Sequence, residues 1–569
     1  MSGEVEPSAR LELGLIAAGA AVFAVILLFP PSRGRTLVAL LLPMATLAGV
    51  SVRWFRSDSP SRRTKTISLG LAVAAALFLI FGSTFPAVIF AVLWGLPASM
   101  ALALLALSLT KGRAVGTTRL AVGGVFLASL VPWPFLRADG ASGQMMPNFL
   151  WVWDAPTGVV PEEHDAPGTL AVAVPTVVTV GDWPEFRGPQ RDGVVPGEVV
   201  AGLDLEWGAR PPAESWRRAI GRGWSSFAVV GDLACTQDQV GELERVVCLD
   251  APTGRTVWVH SEETRFEEIA GGAGPRATPL IHDGRLYALG ATGRLNCLAA
   301  QTGKRIWSAD ISGGDGAAPE WGFASSPLIH DELVYVSPAG ANGIRMLALD
   351  RRSGERVWQG VGEYQGYSSA QLAVLGGTPQ LLLFDGGGLV SYEPRTGEEL
   401  WSYDWSSEPP RVAQPHVATG DTVIIGMGYG RGTRSLHVSR RHESWFVKER
   451  WATSRFKPKF NDFVIRAGHI FGLDEGILVC IDALSGERLW KGGRYGYGQL
   501  LLLGEVLLIV TESGDLVLVE ASTSGHNELA RIQALTGKTW AHPALARGRL
   551  FVRNGNETAS YDLGVGAGP

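Results

Sequence analysis

Hydrophobic and polar residues are arranged differently in two regions of the chain. Residues 11–137 carry long apolar runs, whereas the remainder alternates polar and apolar positions over short stretches. Apolar runs of about 20 residues are typical of membrane-spanning helices. Short alternating stretches between Gly-rich turns are typical of β-strands. The pattern therefore predicts a helical membrane domain over residues 1–137, followed by an all-β domain.

The apolar region predicts about five transmembrane helices. Gly82, Ser83, Thr84 and Pro86 interrupt its longest run, which favours a helical hairpin over a single overlong helix. Almost no ionisable residue lies within these runs, so we expect a membrane anchor rather than a transporter. The predicted spans are about 11–30, 36–53, 67–84, 86–109 and 119–136.

Basic residues indicate how this anchor is oriented. They concentrate in two predicted loops, 53–65 and 111–119. Positively charged loops stay in the cytoplasm, so the N-terminus is expected inside and everything after residue 137 outside. We therefore expect a protein of the bacterial inner membrane. Residues 138–182 mix Gly, Pro and acidic residues and are interpreted as a linker or stalk.

A short phrase recurs five times in the second region, with Gly as its seventh residue and Trp as its eleventh. Successive tryptophans are 49, 51, 43 and 89 residues apart. The last interval is about two periods long, so it is predicted to contain a degenerate copy, which we assign to Trp451. A period of about 40 to 50 residues indicates a β-propeller. The copies are CLDAPTGRTVW (248–258), CLAAQTGKRIW (297–307), ALDRRSGERVW (348–358), SYEPRTGEELW (391–401) and CIDALSGERLW (480–490).

One repeat, residues 277–307, predicts a four-stranded antiparallel blade whose fourth strand ends at Trp307. Residues 183–569 then accommodate eight such blades, and residues 214–220 are expected to supply the missing outer strand of the last one. Closure by both ends of the chain removes exposed sheet edges. Five tryptophans are predicted to be structural, buried between neighbouring blades: Trp258, Trp307, Trp358, Trp401 and Trp490.

Composition excludes several classes of function. The net charge of −5 offers no basic surface for nucleic acid. The chain has only four cysteines and no metal-ligand spacing among its histidines, so we predict no metal site from them. Cys235 and Cys248 fall opposite each other in a predicted hairpin, which leaves open whether they are bonded. Cys297 and Cys480 occupy the first position of the phrase and are expected to be small core residues.

The repeated phrase, together with the opening motif WPEFRGPQRDG (183–193), resembles the repeat of pyrroloquinoline-quinone (PQQ)-like β-propellers. That superfamily includes quinoprotein alcohol and glucose dehydrogenases. It also includes non-enzymatic members such as the propeller lipoprotein of the outer-membrane β-barrel assembly machinery. The resemblance covers roughly residues 183–569 and implies the propeller fold, but it does not choose between catalysis and binding.

The resemblance implies a specific set of groups if the protein is an enzyme. Its enzymes bind PQQ with Ca²⁺ held by oxygen ligands, use an Asp as general base, and place an Arg or Lys at the quinone oxygens. Here Asp462 and Glu363 are the weak candidates for the base, and Arg276 or Lys459 for the cation. The adjacent cysteine pair of many family dehydrogenases does not occur in this sequence.

Residues that lead into the first strand of each blade should converge on the central channel. They form a predicted polar and aromatic funnel that suits an anion or a planar ligand. Trp183, Arg187, Arg191 and Asp192 of the opening motif either reach a ligand or lock the opening loop against a blade. The main funnel residues are Trp224, Arg276, Trp321, Tyr367, Gln414, His416, Lys459, Asn461 and His542, and Ser225, Ser325, Ser368, Tyr497 and Gln499 occupy equivalent positions beside them.

Taken together, these patterns favour a membrane-tethered propeller that binds an envelope protein or ligand through one face, without a resident cofactor. Loops can diverge freely over a rigid ring, which suits recognition. The alternative is a PQQ-dependent membrane dehydrogenase that oxidises a sugar or alcohol and passes electrons to membrane quinone.

Overall fold

The computed structural model describes residues 135–144, 147–151, 175–313, 318–406 and 410–564. The chain divides into two compact units, residues 1–155 and 156–569. In the first unit, β1 (Leu136–Ala141) pairs antiparallel with β2 (Pro147–Trp151). All but the first two residues of this hairpin lie within the predicted linker, so that segment contains regular structure.

The predicted membrane spans lie outside the described residues, apart from the last two positions of the fifth. There Leu136 begins β1 rather than ending a helix. Within the residues that the structure describes, no helix is long and apolar enough to cross a bilayer.

The second unit contains a β-propeller of eight four-stranded antiparallel blades, as the repeat period predicts. Its first described elements are β3 (Val194–Val195), α1 (Gly197–Val200) and β4 (Ala213–Ala219). A short hairpin of β9 (Glu267–Glu268) and β10 (Gly272–Ala273) lies between the first two blades, and a 3₁₀ turn (Ala341–Gly343) lies within the third.

Each blade runs from an innermost strand beside the channel to an outermost strand at the rim. The blades, in order, are β5 (Ala228–Val230), β6 (Leu233–Val240), β7 (Leu243–Asp250), β8 (Thr256–Glu263); β11 (Leu280–His282), β12 (Arg285–Leu289), β13 (Arg294–Ala299), β14 (Arg305–Asp310); β15 (Leu328–His330), β16 (Leu333–Val336), β17 (Ile344–Asp350), β18 (Arg356–Val361); β19 (Gln371–Leu375), β20 (Thr378–Asp385), β21 (Gly388–Tyr392), β22 (Glu399–Asp404); β23 (His416–Val417), β24 (Thr422–Met427), β25 (Gly432–Arg441), β26 (Ser444–Thr453); β27 (Val464–Arg466), β28 (His469–Asp474), β29 (Ile477–Asp482), β30 (Arg488–Arg494); β31 (Gln499–Leu503), β32 (Val506–Val510), β33 (Asp515–Glu520), β34 (Glu528–Gln533); and β35 (Ala544–Ala546), β36 (Arg549–Arg553), β37 (Glu557–Asp562) with β4.

The last blade closes the ring as predicted. Strand β4, from the start of the propeller, pairs antiparallel with β37 near its end, and Trp216 lies opposite Ser560. One detail differs from the prediction: the outermost strands continue past the repeat tryptophan. Trp307, for example, is the third residue of β14 and not its last.

The repeat tryptophans join neighbouring blades through one recurring contact. The indole N–H of Trp258 donates to the carbonyl of Ala300 at 2.9 Å. A Cβ added to Gly303 would lie only 2.4 Å from the Trp258 ring, so the ring rests directly on that glycine. The same ring-on-glycine contact joins Trp216 to Gly254, Trp307 to Gly354, Trp358 to Gly397, and Trp451 to Gly486.

Trp451 therefore does mark the degenerate copy. The fifth blade lacks the Thr-Gly phrase because β25 and β26 form a longer hairpin there. As a result, Trp401 has no such glycine to cover, and its indole N–H donates instead to Gln380 Oε1 at 2.7 Å.

A disulfide joins Cys235 and Cys248, which lie opposite each other on β6 and β7. This resolves the pairing that the sequence left open. Cys297 and Cys480 are buried thiols, and burial raises the pKa of Cys297 to about 11 and that of Cys480 to about 12. Both therefore act as core residues, as predicted from their place in the phrase.

Replacement of Gly303 by Ala tests the contact between blades. We expect the variant to lose about 1–3 kcal/mol of unfolding free energy beyond ordinary backbone strain, because the new methyl group collides with the Trp258 ring. The control is Gly468→Ala, which has a similar positive φ and open space around its Cβ position. Urea unfolding of both variants measures the difference, and equal losses would contradict the proposed role of the contact.

Candidate functional site

Residues 181–195, which we call the plug, lie against the channel side of the propeller. Strand β3 adds in parallel to β31 as a fifth, innermost strand. The plug makes hydrogen bonds to every blade, so it fills the channel beside the innermost strands. Its partners are Val229, Ile281, Ser326 and Pro327, Gln371, Gln414, Phe463, Leu502 and Arg547, one or two residues from each blade in turn.

The plug folds tightly because five of its residues adopt positive φ, beginning with Gly181 at 93°. Arg187 and Arg191 do so with φ of 61° and 55°, and Gly188 and Gly193 provide the other two positions. A Cβ at Gly193 would lie 2.5 Å from Arg187 Nη2, so only glycine leaves room for the guanidinium. Packing within the channel therefore explains the two Arg- and Gly-containing segments of the opening motif, FRG (186–188) and RDG (191–193).

A buried ion pair locks the plug to the blades. Arg187 Nη1 lies 3.1 Å from Asp462 Oδ1, and His416 Nε2 lies 2.9 Å from the same oxygen. Burial opposes ionisation of Asp462, but Arg187 and His416 outweigh it and hold its pKa at about 2. Burial also lowers the pKa of His416, despite Asp462. The opening motif thus locks to a blade through Arg187 and Asp462, whereas the Asp192 side chain accepts from the Val194 amide.

The two weak candidates for a catalytic base occupy unlike positions. Asp462 is buried and already satisfied by Arg187 and His416. Glu363 is exposed in the loop after β18, and its backbone packs beside Gly340. The structure therefore does not bring these two carboxyl groups together.

Above the plug, seven aromatic residues form what we call the collar. They stand on the loops that lead into the innermost strands, except Tyr429, which follows β24 on the same face. Rings from non-adjacent blades meet here, since Trp540 lies 4.6 Å from Phe460 between centroids. Trp321 stacks on Tyr367 at 5.0 Å, and Phe460 stacks on Tyr497 at 5.5 Å. The collar consists of Trp224, Trp321, Tyr367, Tyr429, Phe460, Tyr497 and Trp540.

Cations lie over the collar. Lys459 Nζ is 4.9 Å from the Tyr429 centroid and 5.0 Å from that of Tyr497. Lys538 Nζ is 4.4 Å from the Trp540 centroid and 5.1 Å from that of Trp224. Such contacts stabilise by about 0.5–2 kcal/mol each. The collar therefore holds positive charge in place on its aromatic faces.

Carboxylates offset part of the positive charge on the collar and beside it. Arg276 forms an ion pair with Glu268 at 3.1 Å and also lies over the Phe266 ring. Glu512 accepts from the Trp540 indole at 3.0 Å and from the Tyr497 amide at 3.1 Å. Burial lowers the pKa of both Arg276 and Lys459.

Between the plug and the collar lies a layer that we call the polar floor: Ser325, Gln414, Asn461, Gln499 and His542. Gln414 donates to the plug at the Arg191 carbonyl, and the His542 ring packs 4.9 Å from Phe186. Gln499 donates to the carbonyls of Phe460 and Trp540, and Asn461 accepts from the Lys459 amide. The floor thus touches both neighbouring layers.

Each floor residue has one buried polar atom without a hydrogen-bond partner among the described residues: Ser325 Oγ, Gln414 Oε1, Asn461 Nδ2, Gln499 Oε1 and His542 Nδ1. Buried polar atoms are rarely left unpaired in native proteins, so solvent or a ligand must complete this layer. Burial and Arg187 lower the pKa of His542 to about 3, so its ring is neutral at neutral pH.

The predicted funnel residues therefore separate into two layers. Trp224, Arg276, Trp321, Tyr367 and Lys459 belong to the collar or lie beside it. Gln414, Asn461 and His542 belong to the floor, and His416 grips the plug.

Sequence reasoning missed Tyr429, Phe460, Lys538 and Trp540 as members of this site. Phe460, Lys538 and Trp540 lie within four residues of funnel positions, so a wider window around each inner strand could have found them. Tyr429 occupies a hairpin turn where other repeats carry Gly or small residues, with a φ of 57°. No sequence signal shows that this turn approaches the channel.

A resident metal ion would need several His, Cys, Asp or Glu side chains that converge on one point. Across the part of the chain that the structure describes, no group of three or more His, Cys, Asp or Glu side chains is placed to hold a metal ion. The described residues therefore form no cluster of three carboxylates for a Ca²⁺ ion, which also accepts amide oxygens as ligands.

Residues 242–492 match a protein-family model, PQQ_2, described as outer membrane protein assembly factor BamB. A BamB of that description from Burkholderia pseudomallei is 24% identical over 317 residues, which cover 51% of this chain and 74% of the relative. With the eight-bladed fold, these matches establish a PQQ-like β-propeller.

Quinoprotein enzymes are also similar. The quinoprotein alcohol dehydrogenase PedH from Pseudomonas putida is 30% identical over 139 residues, or 22% of each chain. A quinoprotein ethanol dehydrogenase from Pseudomonas putida is 25% identical over 215 residues, or 34% of this chain and 33% of the relative. The chain thus spans a third or less of these two enzymes.

Among solved structures, a quinohemoprotein alcohol dehydrogenase from Comamonas testosteroni is 14% identical with a TM-score of 0.49, covering 68% of this chain and 81% of that one. BamB from Moraxella catarrhalis is 15% identical with a TM-score of 0.45, covering 62% of this chain and 97% of that one.

Replacement of Arg187 by Met tests the lock between plug and blades. We expect a loss of about 3–5 kcal/mol of unfolding free energy, because the Asp462 carboxylate would remain buried without its cation. The matched control is Arg210→Met, which breaks an ion pair with Asp204 at the solvent-exposed surface and should leave the unfolding free energy nearly unchanged. Denaturant unfolding measures both, and similar losses would contradict the lock.

Proposed function

We propose that this PQQ-like β-propeller is a membrane-tethered binding module that holds a component of the cell envelope on its collar face. The collar is the observation that carries the proposal. Its rings come from seven blades, and most of them remain partly exposed. Partly exposed aromatic side chains on a rigid frame are common at recognition sites because they add contact area with little loss of conformational entropy.

The plug supports binding rather than chemistry inside the channel. It brings Arg187 onto Asp462, so the best-placed carboxylate of the funnel is engaged in structure. A general base must be within reach of the proton that it removes. Asp462 is buried, contacts Arg187 of the plug and accepts from the backbone amide of Gln414 at 3.2 Å, so it is not available on the surface of the propeller.

Two observations support a location outside the cytoplasm. The Cys235–Cys248 disulfide is typical of proteins in oxidising compartments. The predicted spans before residue 137 and their positively charged loops also predict that the propeller lies outside the cytoplasm. The Burkholderia relative is by name an outer membrane protein assembly factor, which supports an envelope protein as partner.

The alternative is a PQQ-dependent membrane dehydrogenase for a sugar or alcohol. Similarity to quinoprotein dehydrogenases favours it, and Lys459 or Arg276 could face an anionic cofactor. The described residues form no cluster of three carboxylates, and Asp462 is already paired with Arg187, so the fit to this cofactor is poor. We therefore rank this function second.

Photocrosslinking tests the binding module. We expect benzoylphenylalanine in place of Trp321 to give discrete adducts with envelope components in intact cells. The matched control replaces Phe446, an exposed aromatic residue on β26, and should give none. A second substitution, Trp540→Ala, should reduce the Trp321 adducts several-fold because it removes part of the collar. Equal adduct yields from both positions would refute the proposal.

Reconstitution tests the alternative. Purified full-length protein is titrated with PQQ and Ca²⁺, and the absorbance of bound cofactor and dye reduction with alcohols and aldoses are measured. We expect no stoichiometric uptake and no turnover, since the channel holds the plug and Asp462 is paired with Arg187. Uptake of one PQQ per chain with turnover would reverse the ranking of the two functions.

A further inference from the structure

We infer that the collar and the polar floor together form a binding site for a saccharide unit, a neutral ring compound rich in hydroxyl groups. The inference rests on the proposed function, because the same face holds the envelope component. It adds the chemical class of that component: a glycan, or a protein that carries one.

The first observation is the set of unsatisfied atoms on the floor. Gln414, Asn461 and Gln499 are almost completely buried, yet each keeps one amide atom without a partner among the described residues. These residues come from three successive blades. A ligand that completes them must present several polar groups at short spacing, which the hydroxyl groups of a pyranose ring do.

The second observation is that the floor is uncharged and mixed in character. Ser325 and His542 can each donate or accept, and the three amides offer both donors and acceptors. A hydroxyl group also donates and accepts at once, so it can satisfy either kind of atom. A carboxylate or phosphate could accept from the donors but would leave the acceptor atoms unpaired.

The third observation is the geometry of the collar. The Trp321–Tyr367 pair and the Phe460–Tyr497 pair are each stacked, with interplanar angles of 27° and 28°. In each pair the tyrosine is buried, and Trp321 or Phe460 remains partly exposed. A sugar ring has an apolar C–H face and a polar edge, so it can cover an aromatic face while its hydroxyl groups reach the floor.

The charge near the collar also favours a neutral ligand over a polyanion. Lys459 and Lys538 already lie over aromatic rings, and Arg276 is paired with Glu268. Glu512 lies among the same residues and would oppose an anion. Glu475 also acts on Lys459, so Glu268, Glu475 and Glu512 together offset the charge of the three cations.

Calorimetric titration of the full-length protein with maltohexaose, cellohexaose and chitohexaose tests the inference, with tryptophan fluorescence as a second readout. We expect at least one of these neutral oligosaccharides to bind with a Kd of about 1 mM or tighter. Trp321→Ala in the collar and Asn461→Ala on the floor should each weaken binding about tenfold or more. Phe446→Ala is the control and should leave the affinity unchanged.

Thermal unfolding of each variant shows whether it remains folded, and Trp321→Ala keeps the test valid if Asn461→Ala does not. Failure of all three oligosaccharides to bind would overturn the inference, as would binding of PQQ or an acidic peptide in their place. If the Trp321 crosslinks persist while no oligosaccharide binds or competes, the binding module stands and the saccharide assignment falls.

Discussion

A tryptophan of one blade resting on a glycine of the next is the contact on which the propeller depends. The indole ring fills the space that a Cβ would need, and its N–H satisfies a carbonyl of the adjacent turn. The contact occurs at five of the eight interfaces between neighbouring blades of the described propeller, where it fixes how one blade packs on the next. The fifth blade lacks the glycine, and the indole N–H of Trp401 in the fourth blade donates to Gln380 instead.

The ring of blades encloses a central channel, and the plug fills this channel. A single segment reaches all eight blades by combining backbone pairing with two long arginine side chains. Burying Arg187 is costly unless its charge is matched, and Asp462 matches it. The same ion pair engages Asp462, so this carboxylate has no role on the open face. Neutralising the buried Arg187 charge therefore limits which side chains can contact a ligand.

The layers above the plug differ in character because their requirements differ. The floor is polar and incompletely satisfied, whereas the collar is aromatic and partly exposed. Core residues of the blades are fully packed by comparison, as Tyr335 and Phe384 illustrate. Among the described residues, unpaired polar atoms also occur within the blades, at Tyr392 and Ser435 for example, but the floor brings together five of them from five different blades.

The sequence by itself determined the fold of the second unit, because the spacing of Thr-Gly turns and tryptophans is a local property that repeats. It also placed β4 in the last blade and set Cys235 opposite Cys248. It nominated Trp321, Lys459 and Asn461 from their repeat positions, but it did not separate collar from floor. Only the tertiary structure decided that Arg187 reaches Asp462, that Tyr429 joins the collar, and that Trp540 meets Phe460 across an intervening blade. These contacts join residues far apart in the chain around an axis that no local pattern encodes.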